Sequence, residues 1–406
     1  MRRARTLSIA AVGGVALALV VASPAAAATV TWVAPGDTWW TDTSSWAGGA
    51  IASGGDDVTF AGGPRSTYNY GSVMFSSFHF TNDHTIANGG GVFGVVNGIT
   101  VDPGATVRIE PQLIAAGAQA WQVATGATLT LPSLVNVDPS WDVTFDVDGV
   151  MEVTTGDING AGTGCIVKTG TGVLRFAGGG GGVGACGADP EGIRVEAGEV
   201  AFVPGANLGG KSFHLAGGTA TGGDAGSASV VRQLNVSSGT VSPGASAGAG
   251  IGRLDLWGTS TWAGGTYLVD WDPSTGDADL VHGDNQAITV ADTVLELRLA
   301  PGATIGDSAT VLSSTVAVTG AFTSPAGDVL ADGDEFVSSG QRYEIAYAPT
   351  SVSVTWVGSV PVAPAPAPVD PALASTGVSA SAAVAGAAAL LSIAVGALLV
   401  RRRRAV

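Results

Sequence analysis

Gly104-Ala105-Thr106-Val107-Arg108-Ile109, Gly126-Ala127-Thr128-Leu129-Thr130-Leu131, Gly149-Val150-Met151-Glu152-Val153, Gly172-Val173-Leu174-Arg175-Phe176 and Gly198-Glu199-Val200-Ala201-Phe202 are five versions of one phrase. Each is a glycine followed by a short alternating run, and alternation places every second side chain on one face of a strand. The opening glycines continue to Gly218, Gly239 and Gly265, in steps of 22, 23, 23, 26, 20, 21 and 26 residues with a mean of 23. Short strands and glycine corners at a steady period of this length describe a solenoid. No 3.6-residue apolar period appears between residues 30 and 360, so helical and leucine-rich solenoids fall away. The expected fold class is all-β: a right-handed parallel β-helix over residues 29–357, with like positions stacked about 4.8 Å apart. A β-sandwich is the alternative, and it predicts tight hairpin turns between clean runs. Asn97-Gly98 and Asn159-Gly160 are present but do not sit between such runs.

The two ends read differently from the body. Arg2, Arg3 and Arg5, an apolar stretch from Leu7 to Ala22 and a run of alanines ending at Ala28 describe a secretory signal peptide, residues 1–28, with a signal helix. At the other end Leu373-Ala374-Ser375-Thr376-Gly377 precedes an uncharged apolar run, residues 378–400, which stops at Arg401-Arg402-Arg403-Arg404. As a helix this run measures roughly 35 Å, enough to cross a hydrocarbon core of about 30 Å. The four arginines act as a stop-transfer segment that stays in the cytoplasm. Before it, residues 358–372 form a Pro/Ala-rich linker that extends some 45 Å as polyproline II, at about 3.1 Å per residue.

Removing both ends leaves residues 29–376, with 10 basic residues against 33 acidic ones and a formal net charge of −23. Such a surface repels phosphate backbones, so no nucleic-acid partner is expected. Cys165 and Cys186 are the two cysteines. Export puts them in an oxidising compartment, and 21 residues is about one coil, which favours a disulfide between neighbouring coils. They lack the paired spacing of a zinc site, and His79, His84, His214 and His282 are scattered.

Candidate sites are few. Gly244-Ala245-Ser246-Ala247-Gly248 matches the Gly-x-Ser-x-Gly pattern, but a nucleophile elbow needs a strand before and a helix after, and this reads as a loop. Gly178 to Gly182 lacks the Lys-Ser or Lys-Thr of a phosphate loop. Asp270, Asp272, Asp277 and Asp279, with Asp284 nearby, form the densest carboxylate cluster and a weak calcium candidate. A solvated acidic turn is the plainer reading, because the spacing departs from an EF-hand loop. Asp328, Asp332, Asp334 and Glu335 form a weaker cluster of the same kind. Trp39, Trp40, Trp46, Trp257, Trp262 and Trp271 are read mainly as packing and secondarily as sugar platforms. No pair of carboxylates is spaced as an acid and base, so no catalytic residue, metal or cofactor is expected.

Two resemblances add to this. The pentapeptide, apolar run and basic tail resemble the cell-wall sorting signal of Gram-positive surface proteins, which sortase cuts between Thr and Gly before joining the new carboxyl to peptidoglycan. Ala374 stands where the usual Leu-Pro-x-Thr-Gly motif has Pro, and the variant looks like the one used by class E sortases. Leu373, Ala374, Thr376 and Gly377 would then be the residues sortase reads. Separately, Thr31-Trp32, Gly36-Asp37-Thr38-Trp39, Ser45-Trp46 and Gly55-Asp56-Asp57-Val58-Thr59-Phe60 resemble the first coil of autotransporter passenger domains. Residues 166–174 and 195–200 resemble a passenger-associated repeat. These blocks imply a β-helix and say little about activity. The combined expectation is a non-catalytic, wall-anchored surface protein with a structural or adhesive role toward a glycan, host or matrix surface. A β-helix polysaccharide hydrolase or lyase, or a carbohydrate-binding module, is the alternative.

Overall fold

The structure is a computed structural model that describes residues 28–361 apart from 133–134, 138–140, 155–157, 160–164, 179–191, 225 and 245–249. The signal segment 1–27, Cys186, Ser246, most of the linker, the sorting pentapeptide, the apolar run 378–400 and Arg401 to Arg404 lie outside the described residues.

The chain is an all-β parallel solenoid. From Thr106 the register passes one coil at a time through Thr128, Val150, Val173, Glu199, Thr219, Thr240, Thr266 and Val294, every step a parallel pairing. This stack forms one face, called here the second. A β-sandwich would pair these runs antiparallel. The coil length runs from the 20 residues between Glu199 and Thr219 to the 28 between Thr266 and Val294. Extra residues are absorbed at corners, which leaves the register intact.

Alternation decides what fills the interior. On the second face Val107, Leu129, Met151, Leu174, Val200, Ala220, Val241, Tyr267 and Leu295 occupy successive coils and are buried. On the first face the inward column runs Val30, Val58, Phe78, Ile99, Trp121, Phe145, Lys168, Val195, Leu215, Val236, Trp262 and Val290. Leu208, Val231, Leu256 and Gly283 continue a third face. Each fully buried aliphatic or aromatic side chain contributes about 1.5–3 kcal/mol. The columns together make one core along the axis.

The opening glycines have a steric cause. A Cβ on Gly172, Gly198, Gly218, Gly239 or Gly265 would press on the backbone carbonyl oxygen of the opener one coil earlier. Gly198 also has a φ of 69°, a left-handed conformation that side chains resist. The repeat in the sequence is therefore a column of close backbone contacts at one corner.

Both ends are closed, by different means. At the N-terminal end Trp40 is buried against Trp32, Trp46, Phe60, Tyr68, Phe75, Phe78 and Phe93, with ring centroids 5.1–6.4 Å away. At the other end the parallel pattern expected to residue 357 stops early. Glu335–Ser338 pairs antiparallel with Gln341–Ala348, and that strand with Ser351–Ser359, which also runs antiparallel to Ser308–Ser314. A last parallel coil would leave a row of unpaired N–H and C=O groups, and the reversed strands cover it. Among the described residues no helix is long and apolar enough to cross a membrane.

Candidate binding groove

Three adjoining depressions lie on the outer side of the second face. One, of about 230 Å³, lies between Arg175, Pro204 and Thr221. A second, of about 410 Å³, shares Thr221 and adds Glu199, Thr219, Thr240, Ser242 and Arg298. A third, of about 450 Å³, shares Arg298 and is walled by Ile251, Asp270, Trp271, Asp272 and Leu299. The shared residues make them one track that runs with the axis.

Its floor follows from alternation. In Thr219-Ala220-Thr221 and Thr240-Val241-Ser242 the middle residue points into the core, so the hydroxyls stand on the outer side. Thr221 and Ser242 are nonetheless 4% and 8% exposed, which marks the floor as recessed. Thr221 Oγ1 donates to Glu199 Oε1 at 2.6 Å and holds that carboxylate over the floor. The wall is a hairpin in which Thr266–Asp272 turns back through Asp277–Ala278. Asp270 lies beside Arg298 on the next coil. Burial raises the pKa of Asp270, and the guanidinium of Arg298 opposes that shift.

The calcium candidates are not brought together. Asp272 accepts from Ser274 N at 2.9 Å and Ser274 Oγ at 2.6 Å, closing the hairpin turn. Those bonds lower its pKa. Asp277 pairs opposite Asp272 and is exposed. Asp279 points inward and is fully buried, its two oxygens accepting from Gly252 N at 2.7 Å and Asp270 N at 2.9 Å. Burial pushes its pKa up to about 8, the two amides opposing and the charge of Asp270 adding. It ties the hairpin to the coil below. Among the described residues no group of three His, Cys, Asp or Glu side chains is arranged to hold a metal. In the second acidic cluster Asp332 accepts from Tyr347 N, Asp334 from Ala331 N, and Glu335 pairs with Arg342 at 3.2 Å, all holding the closing strands.

Of the six tryptophans singled out, Trp40, Trp46, Trp262 and Trp271 are buried packing residues, while Trp39 and Trp257 are 53% and 47% exposed. Trp141, outside those six, is exposed as well. Cys165 is disulfide-bonded and accepts, through its carbonyl, the N–H of Val143 one coil earlier. The histidines are apart: His79 meets Asp102, His214 meets Ser237 and His282 meets Ser313. His84 is buried between Ser66 Oγ and Gly63 O, each at 2.9 Å, and burial lowers its pKa to about 4.

Lys168 is an interior residue that strand alternation alone does not mark. It takes an inward place on the first face between Phe145 and Val195 and has no exposed surface. Its ammonium donates to the carbonyls of Thr169 at 2.6 Å, Gly170 at 2.9 Å, Ala197 at 3.2 Å and Val147 at 3.4 Å. These oxygens belong to corners of three successive coils. Burial lowers its pKa to about 8, and the charges of Asp148 and Asp146 oppose that.

No family model matches this sequence, and no curated protein does. Among solved structures it is similar to the Hap adhesin of Haemophilus influenzae, with a TM-score of 0.35 and 10% identity. The match covers 75% of this chain and 40% of that one, so this chain spans well under half of that protein. At that score and identity the likeness says nothing about what this chain binds.

Proposed function

We propose that the chain is a wall-anchored surface protein with a structural or adhesive role, itself without catalytic activity. The signal segment exports it, and the apolar run 378–400 with Arg401 to Arg404 holds the precursor in the membrane. A class E sortase then breaks the Thr376–Gly377 bond, and the Thr376 carboxyl forms a new amide with peptidoglycan. The Pro/Ala linker sets the body off from that attachment point.

The observation that carries this reading is the solenoid's long stacked exterior, on which acidic residues are dispersed into turns and pairs. A body of this kind presents area, and Asp272, Asp332 and Asp334 are occupied with holding its turns. The reading is tested in cells of the parent bacterium carrying either the natural chain or Thr376→Ala. Muramidase digestion of washed walls is expected to release the natural chain and not the variant, which stays with the membrane. Equal release of both would overturn the assignment of Thr376.

A further inference from the structure

We propose that the groove on the second face binds a single extended strand of an uncharged polysaccharide. This rests on the adhesive reading and names the surface that would make the contact.

The shape of the groove suits a chain. The three depressions share residues end to end, so the site is a channel and its occupant is a chain. From the coil of Arg175 to that of Arg298 the register climbs five parallel steps, roughly 24 Å at about 4.8 Å each. That length holds several linked sugar rings.

The lining suits a polyhydroxylated ligand. Hydroxyls on Thr219, Thr221, Thr240 and Ser242 both donate and accept, which suits a ligand whose own groups do both. The carboxylates of Glu199 and Asp270 and the guanidinium of Arg298 are forked groups that can each engage two neighbouring hydroxyls. Leu268, 8% exposed among these polar groups, offers an aliphatic patch for the C–H side of a ring.

Charge and backbone pairing disfavour other polymers. Arg175 and Arg298 nearly balance Glu199, Asp270 and Asp272, and the surrounding body is strongly acidic, so a polyanion gains little and is repelled over the rest of the surface. An extended peptide commonly binds by adding a strand to an open sheet edge. Here the backbone groups of the floor are already paired with the coils above and below, and the channel offers no edge.

The test is calorimetric titration of the full chain, held in a zwitterionic detergent, with cellohexaose, chitohexaose, mannohexaose and maltohexaose. At least one is expected to bind. Thr240→Trp, which fills the floor, should weaken that binding by about tenfold or more, and Arg298→Ala by roughly fivefold. Thr144→Trp, on the outer side of the first face, should leave it unchanged. Arg298 is exposed, so its variant keeps the test valid if Thr240→Trp misfolds. The proposal is overturned if none of the four binds or if both groove variants bind as the natural chain does. It is also overturned if heparin or an extended peptide occupies the groove in their place. No sortase enters this assay, so its failure leaves the wall attachment standing, and failure of the wall attachment leaves the groove standing.

Discussion

The coils before Val101 and those between Val143 and Pro243 have the same fold and are filled in opposite ways. The first set is packed with rings: Trp32, Trp40, Trp46, Phe60, Phe75, Phe78, Phe80 and Phe93 are all buried, with His84 enclosed among them. The second set is mostly aliphatic and admits two lysines, Lys168 and Lys211, with no exposed surface. The contrast follows from position. A terminal coil has a neighbour on one side only, so large side chains must close the end. A middle coil is covered above and below, and its demand is to satisfy corner carbonyls that the glycine contacts bring close together.

The comparison can be broken most sharply at the aromatic end. Trp40→Ala should cost about 3–5 kcal/mol in denaturant unfolding. Because solenoid coils depend on their neighbours, hydrogen exchange should rise first before residue 101 and leave the middle coils protected. Uniform loss of protection would mean that the two regions unfold as one. In the middle, Lys168→Ala should cost roughly 3 kcal/mol, through a cavity and corner oxygens left without a donor.

His84 and Lys168, both buried, sharpen the contrast through pH. His84 in the fold binds its proton at about pH 4, against an ordinary value of 6.5, so the unfolded chain takes up a proton first. Stability from this residue is present above pH 6.5 and falls as pH drops toward 4, by roughly 3 kcal/mol over the window. His84→Leu should remove that slope in unfolding measured at pH 7 and pH 4.5. Lys168, lowered from 10.5 to about 8, works in the other half of the scale. Its charged form is the one the fold disfavours, so stability of the natural chain relative to Lys168→Met should rise as pH climbs from 8 to 10.5. A relative fall over that range would mean that the four carbonyls outweigh burial.

The smallest effects are at the corner column. Gly198→Ala adds a Cβ against Gly172 O and within 2.7 Å of Lys168 Nζ, at a left-handed φ, and should cost about 2 kcal/mol or more. Gly104→Ala shares the positive φ but meets nothing within 4 Å, so about 1 kcal/mol of backbone strain is all it should show. Equal costs would argue against close stacking as the reason for the repeat.

Much of the solenoid was readable because its cause is local. A glycine every 23 residues and alternation after it report the corner contact and the inward column directly. Lys168 was not readable, since Ile166-Val167-Lys168-Thr169 alternates as its neighbours do and a lysine in such a run is ordinarily assigned outward. Its inward place depends on the carbonyls of Val147 and Ala197, each a coil away. The closing antiparallel strands share the same alternation, and the reversal is announced only by the short turns between them, Ser339-Gly340, both at positive φ, and Pro349-Thr350. For the groove, Thr219-Ala220-Thr221 and Thr240-Val241-Ser242 supplied the signal of hydroxyls on an outer face. The depth comes from the hairpin at Asp272 and from Arg298, which no local pattern announces. The acidic cluster around Gly276 looked like a site because its residues are near in sequence. Strand direction then sent Asp279 inward and left Asp277 outside.

The central claim is that this solenoid is delivered to the wall by a cut after Thr376. Mass spectrometry of the C-terminal peptide released from purified cell wall tests it most directly. The account predicts a peptide ending at Thr376 and carrying a peptidoglycan fragment. Wall fractions without that peptide, together with membranes holding chains intact to Val406, would contradict it.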